Sequence, residues 1–342
     1  MTLTELLLAV IAAAILFGPL AVHLIERQLE VFFFVMGLIA ATIAGETGID
    51  VFHEVVAHPI PLVAVVLGAG FAFRFGRRYL DALIQALTNR LPVRVAVFLI
   101  VLALGFLSSV ISAMVAALVL VELVSVLRLP GEAETRVTVA ACFAIGLGAA
   151  LTPIGEPLST VAITILQQDF WYLARLLGVW VSVGIVLSSL AATRFSLEPS
   201  TSTLTAREEE TNRDVLVRAL KVYLFVAGLI LLGHGFRPLV DRYLRGLHWT
   251  VLYAINLSSA VLDNASLTAV ELSRSMSEHQ LRAALLSLLI SGGMLIPGNI
   301  PNIIAAGKLR ISSRAWARHG LPIGTVLLLL GLAALLVVPR GS

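Results

Sequence analysis

Charged side chains are scarce in this chain of 342 residues. Asp, Glu, Lys and Arg make up 13% of it, whereas soluble domains carry roughly 25%. Hydrophobic residues make up 58%, and charge-free runs extend over 95–121, 137–155, 176–193 and 321–339. Several runs reach the roughly 20 residues that a helix needs to cross a bilayer core. The pattern lacks the alternating segments of a membrane β-barrel and predicts an all-α polytopic membrane protein.

Cysteine is also nearly absent, and Cys142 alone cannot form an internal disulfide. The net charge of +3 is small, and the arginines lie in short segments between apolar runs, where they set membrane topology. We therefore expect no nucleic-acid partner and no cofactor. The first apolar run follows Glu5 rather than a basic segment, so it is interpreted as a retained span. The expected location is the plasma (inner) membrane of a prokaryote.

One polar segment divides the chain. Residues 194–214, RFSLEPSTSTLTAREEETNRD, are interpreted as a cytoplasmic linker. The expected organisation is N-terminal spans over 1–50, a first repeat over 51–193, this linker, and a second repeat over 215–338. Residues 339–342, at the end of VVPRGS, resemble the remnant of an engineered protease site and enter no argument.

The two halves contain the same motifs in the same order. LSSVISAMVAALVLVEL at 107–123 resembles LSSAVLDNASLTAVEL at 257–272. Each is followed by an apolar stretch interrupted by Gly and Pro, GAALTPIGEP at 148–157 and GGMLIPGNIP at 292–301. Two matches in series indicate an internal repeat.

Basic residues then favour a topology. Each repeat is expected to hold a re-entrant hairpin and a broken helix, at 93–127 and 136–167 in the first half and at 247–272 and 281–306 in the second. About eight segments then cross the membrane, the loops that hold most Lys and Arg lie inside, and the repeats are inverted. If both hairpins cross fully, the chain has ten spans.

The interruptions predict unwound backbone at membrane depth. Pro153 and Pro157 remove two N–H donors from a helix, and Gly155 weakens it further. Pro297, Gly298 and Pro301 do the same in the second half. Because lipid cannot satisfy unwound backbone, such segments line protein-enclosed cavities. Paired interrupted segments indicate the binding site of a transporter, although a proline kink without chemical role is the alternative.

Glu156 lies inside the first interruption. A carboxylate at this depth is costly, so it is a functional candidate by default. Desolvation disfavours its charge, whereas a half-helix N-terminus or a bound cation favours it, which suits the exchange of a proton for a cation. The alternative role is a structural cap of the second half-helix.

Asp263 and Asn264 form the second candidate site. Their oxygens suit a hard cation such as Na⁺, Li⁺ or Ca²⁺, although Asp-Asn also suits a hairpin turn. Asn299 and Asn302 can each offer an amide oxygen to an ion. Alternatively, their side chains form hydrogen bonds with backbone groups that the helix break leaves unpaired. Secondary candidates are the hydroxyl groups of Ser108, Ser109, Ser112, Ser258 and Ser259. Membrane serines often bond their own backbone instead.

Other polar residues are interpreted more simply. Glu46, Glu122 and Glu271 lie near predicted span ends and are assigned to the membrane interface. FHEVVAH at 52–58 resembles a metalloprotease motif, but its histidines are one residue too far apart for HExxH. We interpret this segment as a loop and predict no enzyme activity.

The motifs resemble those of the ion transporter superfamily. SAVLDNASL at 259–267 is similar to the Ser-Ala-x-Leu-Asp-Asn hairpin motif of NhaD-type sodium/proton antiporters. TPIGEP at 152–157 resembles their Pro-Ile-Gly-Asp motif, with Glu156 at the acidic position. Residues 297–320 look similar to a smaller family of cation transporters within that superfamily.

The resemblance implies two inverted repeats, commonly in a homodimer, with an ion site between hairpin tips and unwound segments. It implies that Glu156, Asp263 and Asn264 bind Na⁺ or protons. The first hairpin departs from the family pattern, because Ser112, Ala113 and Met114 stand where the relatives tend to carry Leu-Asp-Asn.

The expected function is therefore a secondary transporter that exchanges Na⁺ or a similar cation for H⁺ by alternating access. Thr152, Asn299 and backbone carbonyls would complete the ion cage around Glu156, Asp263 and Asn264. The alternative is an anion carrier of the same superfamily, either a Na⁺-coupled carboxylate symporter or an oxyanion exporter. Neither motif contains an Arg or Lys to pair with an anion, but helix N-termini can bind anions without one. A passive channel is less consistent with inverted halves.

Overall fold

A computed structural model describes most of the chain, and the regular structure of the described residues is helical. It describes residues 2–22, 25, 28–57, 59–60, 63–64, 67–68, 71, 91–127, 129–194, 212–239, 242–243, 247–260, 264–274 and 276–337. Asp263, about half of the segment 55–73 within the expected first repeat, and most of the expected linker at 194–214 lie outside the described residues.

The described chain folds into consecutive helices that follow the apolar runs. They are α1 Leu3–Ala21, α2 Leu29–Ala44, α3 Ile49–Ala57, α4 Val93–Ile111, α5 Ala113–Leu127, α6 Gly131–Ala149, α7 Pro157–Leu166, α8 Tyr172–Thr193, α9 Asn212–Leu239, α10 Trp249–Ile255, α11 Asn264–Glu271, α12 Glu278–Gly292, α13 Ile300–Leu309 and α14 Ser313–Val337. Short 3₁₀ helices cover Asn256–Ala260 and Ile296–Gly298.

Among the described residues, four helices are long and apolar enough to cross a membrane. They cover Val93–Ile111, Tyr172–Thr193, Val215–Leu239 and Ser313–Val337. The protein is thus an α-helical, membrane-embedded protein, as predicted, while the count of eight crossings stays a prediction.

The surface of α8 shows how these helices meet lipid. Val179, Val183 and Leu190 are more than half exposed and follow helical spacing along one face. The opposite face buries Leu177 and Val181 completely. Large apolar side chains stay exposed on one stripe because hydrocarbon, not water, is their solvent.

The two interrupted helices occupy the centre of the molecule. Every residue of α6 from Val137 to Ala149 is buried, and so is every residue of α12 from Ala283 to Gly292. Small side chains dominate α6, which lets α4, α5, α8 and α14 pack closely around it. The helices that lead into the two predicted interruptions therefore run through the interior. Within the interruptions, Gly155 and Asn299 are buried, whereas Pro297 is exposed.

One local prediction is wrong. The segment interpreted as a loop around His53 is helix α3, because Pro59 lies beyond its last residue, Ala57. Glu54 on this helix contacts His234 of α9, with Oε2 2.8 Å from Nε2. That contact joins the N-terminal part of the chain to α9.

Candidate functional site

The two interruptions have matching backbone geometry. Glu156 precedes α7 with φ −154° and ψ 160°, and Asn299 precedes α13 with φ −154° and ψ 162°. Both helices have ten residues and a proline in the first turn, where a missing N–H costs nothing. Both end in the left-handed conformation, at Gln167 and Arg310. The two halves thus place an extended residue and a half-helix N-terminus at equivalent positions.

Each interruption contains one position, Gly155 or Gly298, that is packed so tightly that only glycine fits there. A Cβ atom on Gly155 would lie far inside van der Waals distance of the Ala149 carbonyl oxygen. A Cβ atom on Gly298 would clash in the same way with the Gly292 carbonyl oxygen and would lie 2.6 Å from that of Ser259. The repeated clash explains why both interruptions carry a glycine just before the residue that starts the half-helix.

The first interruption is held by the break between α4 and α5. The Ala113 N–H donates to the Gly155 carbonyl oxygen at 2.6 Å, and the Thr152 hydroxyl group donates to the Ser109 carbonyl oxygen. Ser108 Oγ donates to the carbonyl oxygens of Gly105 (2.7 Å) and Ile145 (2.9 Å). The two sequence-distant segments therefore supply each other's missing hydrogen bonds.

The serine hydroxyl groups at this break form hydrogen bonds with backbone atoms, the alternative to binding an ion. Ser109 Oγ donates to the Phe106 carbonyl oxygen at 2.7 Å, and Ser112 Oγ accepts from the Val115 N–H at 3.4 Å. Ser112 itself has φ 73° and ψ 150°, a conformation that residues with a Cβ rarely adopt. Such strain costs about 1–3 kcal/mol and concentrates at functional sites.

Glu156 is buried at the start of α7. Only 4% of the residue is exposed, and its side chain makes no capping hydrogen bond to α7. The helix dipole at this N-terminus favours a negative charge. The geometry therefore differs from that of a structural cap.

Asn299 and Asn302 bond the backbone of the second interruption. Asn299 Oδ1 accepts from the Asn302 N–H at 3.2 Å and so caps α13. Asn302 Nδ2 donates to the carbonyl oxygens of Gly292 (2.9 Å) and Leu295 (2.8 Å). Asn302 Oδ1 is buried with no hydrogen-bond partner in the structure. It is the oxygen that a bound cation could use.

Replacing Asn302 by Ala should destabilise the protein by about 2–6 kcal/mol. The buried Gly292 carbonyl group and the part-buried Leu295 carbonyl group would lose their donor, and each unsatisfied group costs about 1–3 kcal/mol. Thermal unfolding of the purified protein in detergent measures the effect, with Gln168→Ala, which removes an exposed amide side chain, as the control. An unfolding temperature equal to that of wild type would show that Asn302 does not support the interruption.

Asn264 lies against the same interruption. The residue is buried, and its Nδ2 atom has no hydrogen-bond partner in the structure. A Cβ atom built on Gly292 would lie 3.3 Å from that Nδ2 atom, so the amide group faces the end of α12. Ser259 Oγ donates to the Leu288 carbonyl oxygen at 3.2 Å, and Ser258 is half-buried. Asp263, next to Asn264, lies outside the described residues.

The two halves contact each other at these points. α5, which follows the break at Ser112, packs against α13, and α11, which begins at Asn264, packs against α7. A Cβ atom on Gly146 of α6 would lie 3.0 Å from Asn299 Nδ2. Asn299 of the second break thus lies next to the first broken helix, and α7, which follows Glu156, is a neighbour of α11, which begins at Asn264.

The sequence interpretation missed one buried polar cluster. Asn256 Nδ2 lies 3.1 Å from Glu271 Oε1 and 3.1 Å from Ser287 Oγ. Glu271, which the sequence interpretation assigned to the membrane interface, is only 5% exposed and is therefore packed inside the protein. Glu271 lies seven positions after Asn264, a spacing of about two helical turns that puts both residues on one face of α11. This spacing was the signal in the sequence for the burial of Glu271.

The fold and the site define a helical membrane protein built around two interrupted helices with buried polar residues at their breaks. A family model described as "Protein of unknown function (DUF1646)" matches residues 5–338, nearly the whole chain. The chain therefore belongs to this family. No curated protein matches it.

Proposed function

We propose that this protein is a secondary active transporter that exchanges Na⁺, or a similar hard cation, for protons. The observation that carries the proposal is the pair of central interrupted helices, which share backbone geometry at Glu156 and Asn299. Interrupted helices in corresponding positions of two halves are typical of transporters with a site near the bilayer midplane. The proposed location is the plasma membrane of a prokaryote.

The chemistry of the breaks favours a cation. Glu156 offers a buried carboxylate, and Asn302 offers a buried amide oxygen without a hydrogen-bond partner. Carboxylate, amide and carbonyl oxygens are the ligands of hard cations. In this proposal Asp263 and Asn264 complete the site from the second hairpin. Protons compete with the cation for the carboxylates, which couples the two fluxes.

The packing favours alternating access. α5 of the first half contacts α13 of the second, and α11 of the second half contacts α7 of the first. We propose that these pairs belong to two inverted repeats, each with a re-entrant hairpin, so that rocking of one unit against the other exposes the site to either side. The resemblance to the ion transporter superfamily supports the same arrangement.

Proton flux in proteoliposomes tests the proposal. Wild-type protein is reconstituted with a pH-sensitive dye inside, and Na⁺, Li⁺, K⁺ or Ca²⁺ is added outside in turn. We expect at least one cation to drive proton release well above that of protein-free vesicles. A correctly inserted wild-type protein that responds to none of them would contradict the proposal. Uptake of a labelled dicarboxylate or efflux of an oxyanion would then test the anion-carrier alternative.

A further inference from the structure

A second buried carboxyl group lies away from the two helix breaks. Glu271 is the last residue of α11, and 5% of it is exposed. Oε1 accepts a hydrogen bond from Asn256 Nδ2 at 3.1 Å, whereas Oε2 is buried with no hydrogen-bond partner in the structure. An isolated carboxylate oxygen in an apolar interior carries a large desolvation cost.

The surroundings of Glu271 hold more acceptors than donors. Asn256 Nδ2 carries two hydrogen atoms but has three acceptors within 3.2 Å: Glu271 Oε1, the Ala284 carbonyl oxygen and Ser287 Oγ. The hydroxyl hydrogen of Ser287 is directed to the carbonyl oxygens of Ala283 and Ala284. Glu271 Oε1 therefore shares a single donor group with two other acceptors, and a proton on Oε2 would remove the negative charge from this poorly solvated carboxyl group.

Among the described residues, no cationic side chain forms an ion pair with Glu271. α7 and the 3₁₀ helix Asn256–Ala260, which pack near α11, carry no ionisable side chain. On α12, Arg282 pairs with Glu278, and the His279 ring lies edge-on to Trp249.

The other ionisable side chains described near Glu271 either contact other groups or are exposed. Arg274 donates from Nε to the Ile165 carbonyl oxygen at 2.8 Å. On α9, Lys221 pairs with Glu30 of α2, and Tyr223 donates to the Val56 carbonyl oxygen. His234 contacts Glu54 of α3. The other ionisable side chains described on α9, those of Arg213 and Arg237, are exposed. A proton is therefore the charge-neutralising partner that the cluster can accept without rearrangement.

We propose that Glu271, held by Asn256 and Ser287, is a reversible proton-binding site separate from Glu156. Binding forms one O–H bond at Oε2 with a proton taken from water, and release returns it, so no other reactant is needed. If the protein is the antiporter proposed above, this proton is one of those exchanged, a step that rests on the proposed function. Proton binding itself does not depend on it.

Infrared difference spectroscopy tests proton binding directly. The purified protein is titrated from acid to alkaline pH while the carbonyl stretch of protonated carboxyl groups is followed. We expect Glu271→Gln to remove one pH-dependent band, Glu271→Asp to keep it at a shifted frequency, and the exposed Glu278→Gln to leave it unchanged. Glu156→Gln should leave this band in place, which separates the two sites.

Two results would overturn the proposal. Spectra of wild type and Glu271→Gln that agree at every pH would show that Glu271 binds no proton. A band that is lost in Glu271→Gln but never titrates in wild type would show a permanently neutral side chain. If Glu271→Gln does not fold, the frequency shift in Glu271→Asp decides the same question. Because the readout needs no cation flux, failure of the antiporter proposal is detected separately.

Discussion

Replacing Glu156 by Gln should abolish cation-driven proton flux. The change keeps the shape of the side chain and removes the charge that the proposed cation and proton share. Removing one charge from a desolvated, paired site costs about 2–5 kcal/mol, roughly a 30-fold to several-thousand-fold loss of affinity. Flux in proteoliposomes at a fixed cation concentration should therefore fall to the level of protein-free vesicles.

Glu132→Gln is the matched control for this experiment. Glu132 lies in the first turn of α6, the same interrupted helix, but its side chain is exposed. The same loss of charge there should leave flux within about twofold of wild type, because exposed charges contribute little. Wild-type flux in Glu156→Gln, with both variants inserted to the same extent, would remove Glu156 from the proposed site.

Replacing Gly148 by Ala should prevent the native packing of α4 against α6. A Cβ atom at this position would overlap the Gly105 carbonyl oxygen and lie 2.8 Å from Ser108 Oγ. Overpacking of a core costs about 1–3 kcal/mol when side chains can adjust, and more is expected here because the clash is with backbone. We expect a large fall in the yield of monodisperse protein in detergent and a lower unfolding temperature for what remains.

Gly178→Ala provides the comparison. Gly178 lies in α8, and no atom lies within 4 Å of the position that a Cβ would take. Alanine is favoured over glycine inside a helix by roughly 0.5–1 kcal/mol, so this variant should be as stable as wild type or slightly more stable. Equal stability of Gly148→Ala and Gly178→Ala would mean that α4 and α6 do not cross at Gly148.

The sequence by itself determined the class of fold and the positions of the helix breaks. Charge-free runs predicted membrane helices, and the run at 176–193 lies within α8, Tyr172–Thr193. Pro153, Gly155 and Pro157 predicted the first interruption because proline and glycine act on their own backbone, whatever surrounds them. The broken helix begins at Gly131 rather than 136, since its first turns carry charges that a hydropathy argument excludes.

Tertiary structure alone decided what the polar side chains contact. Asn302 donates to carbonyl groups on α12 and in the turn that follows it. Thr152 donates to the carbonyl oxygen of Ser109, in the last turn of α4. Glu271 stands near the end of an apolar run, which predicted a position at the membrane interface but not its contact with Asn256 or its burial. Burial depends on which elements pack together, and that is set by contacts between residues distant in sequence rather than by the local pattern that predicts a helix.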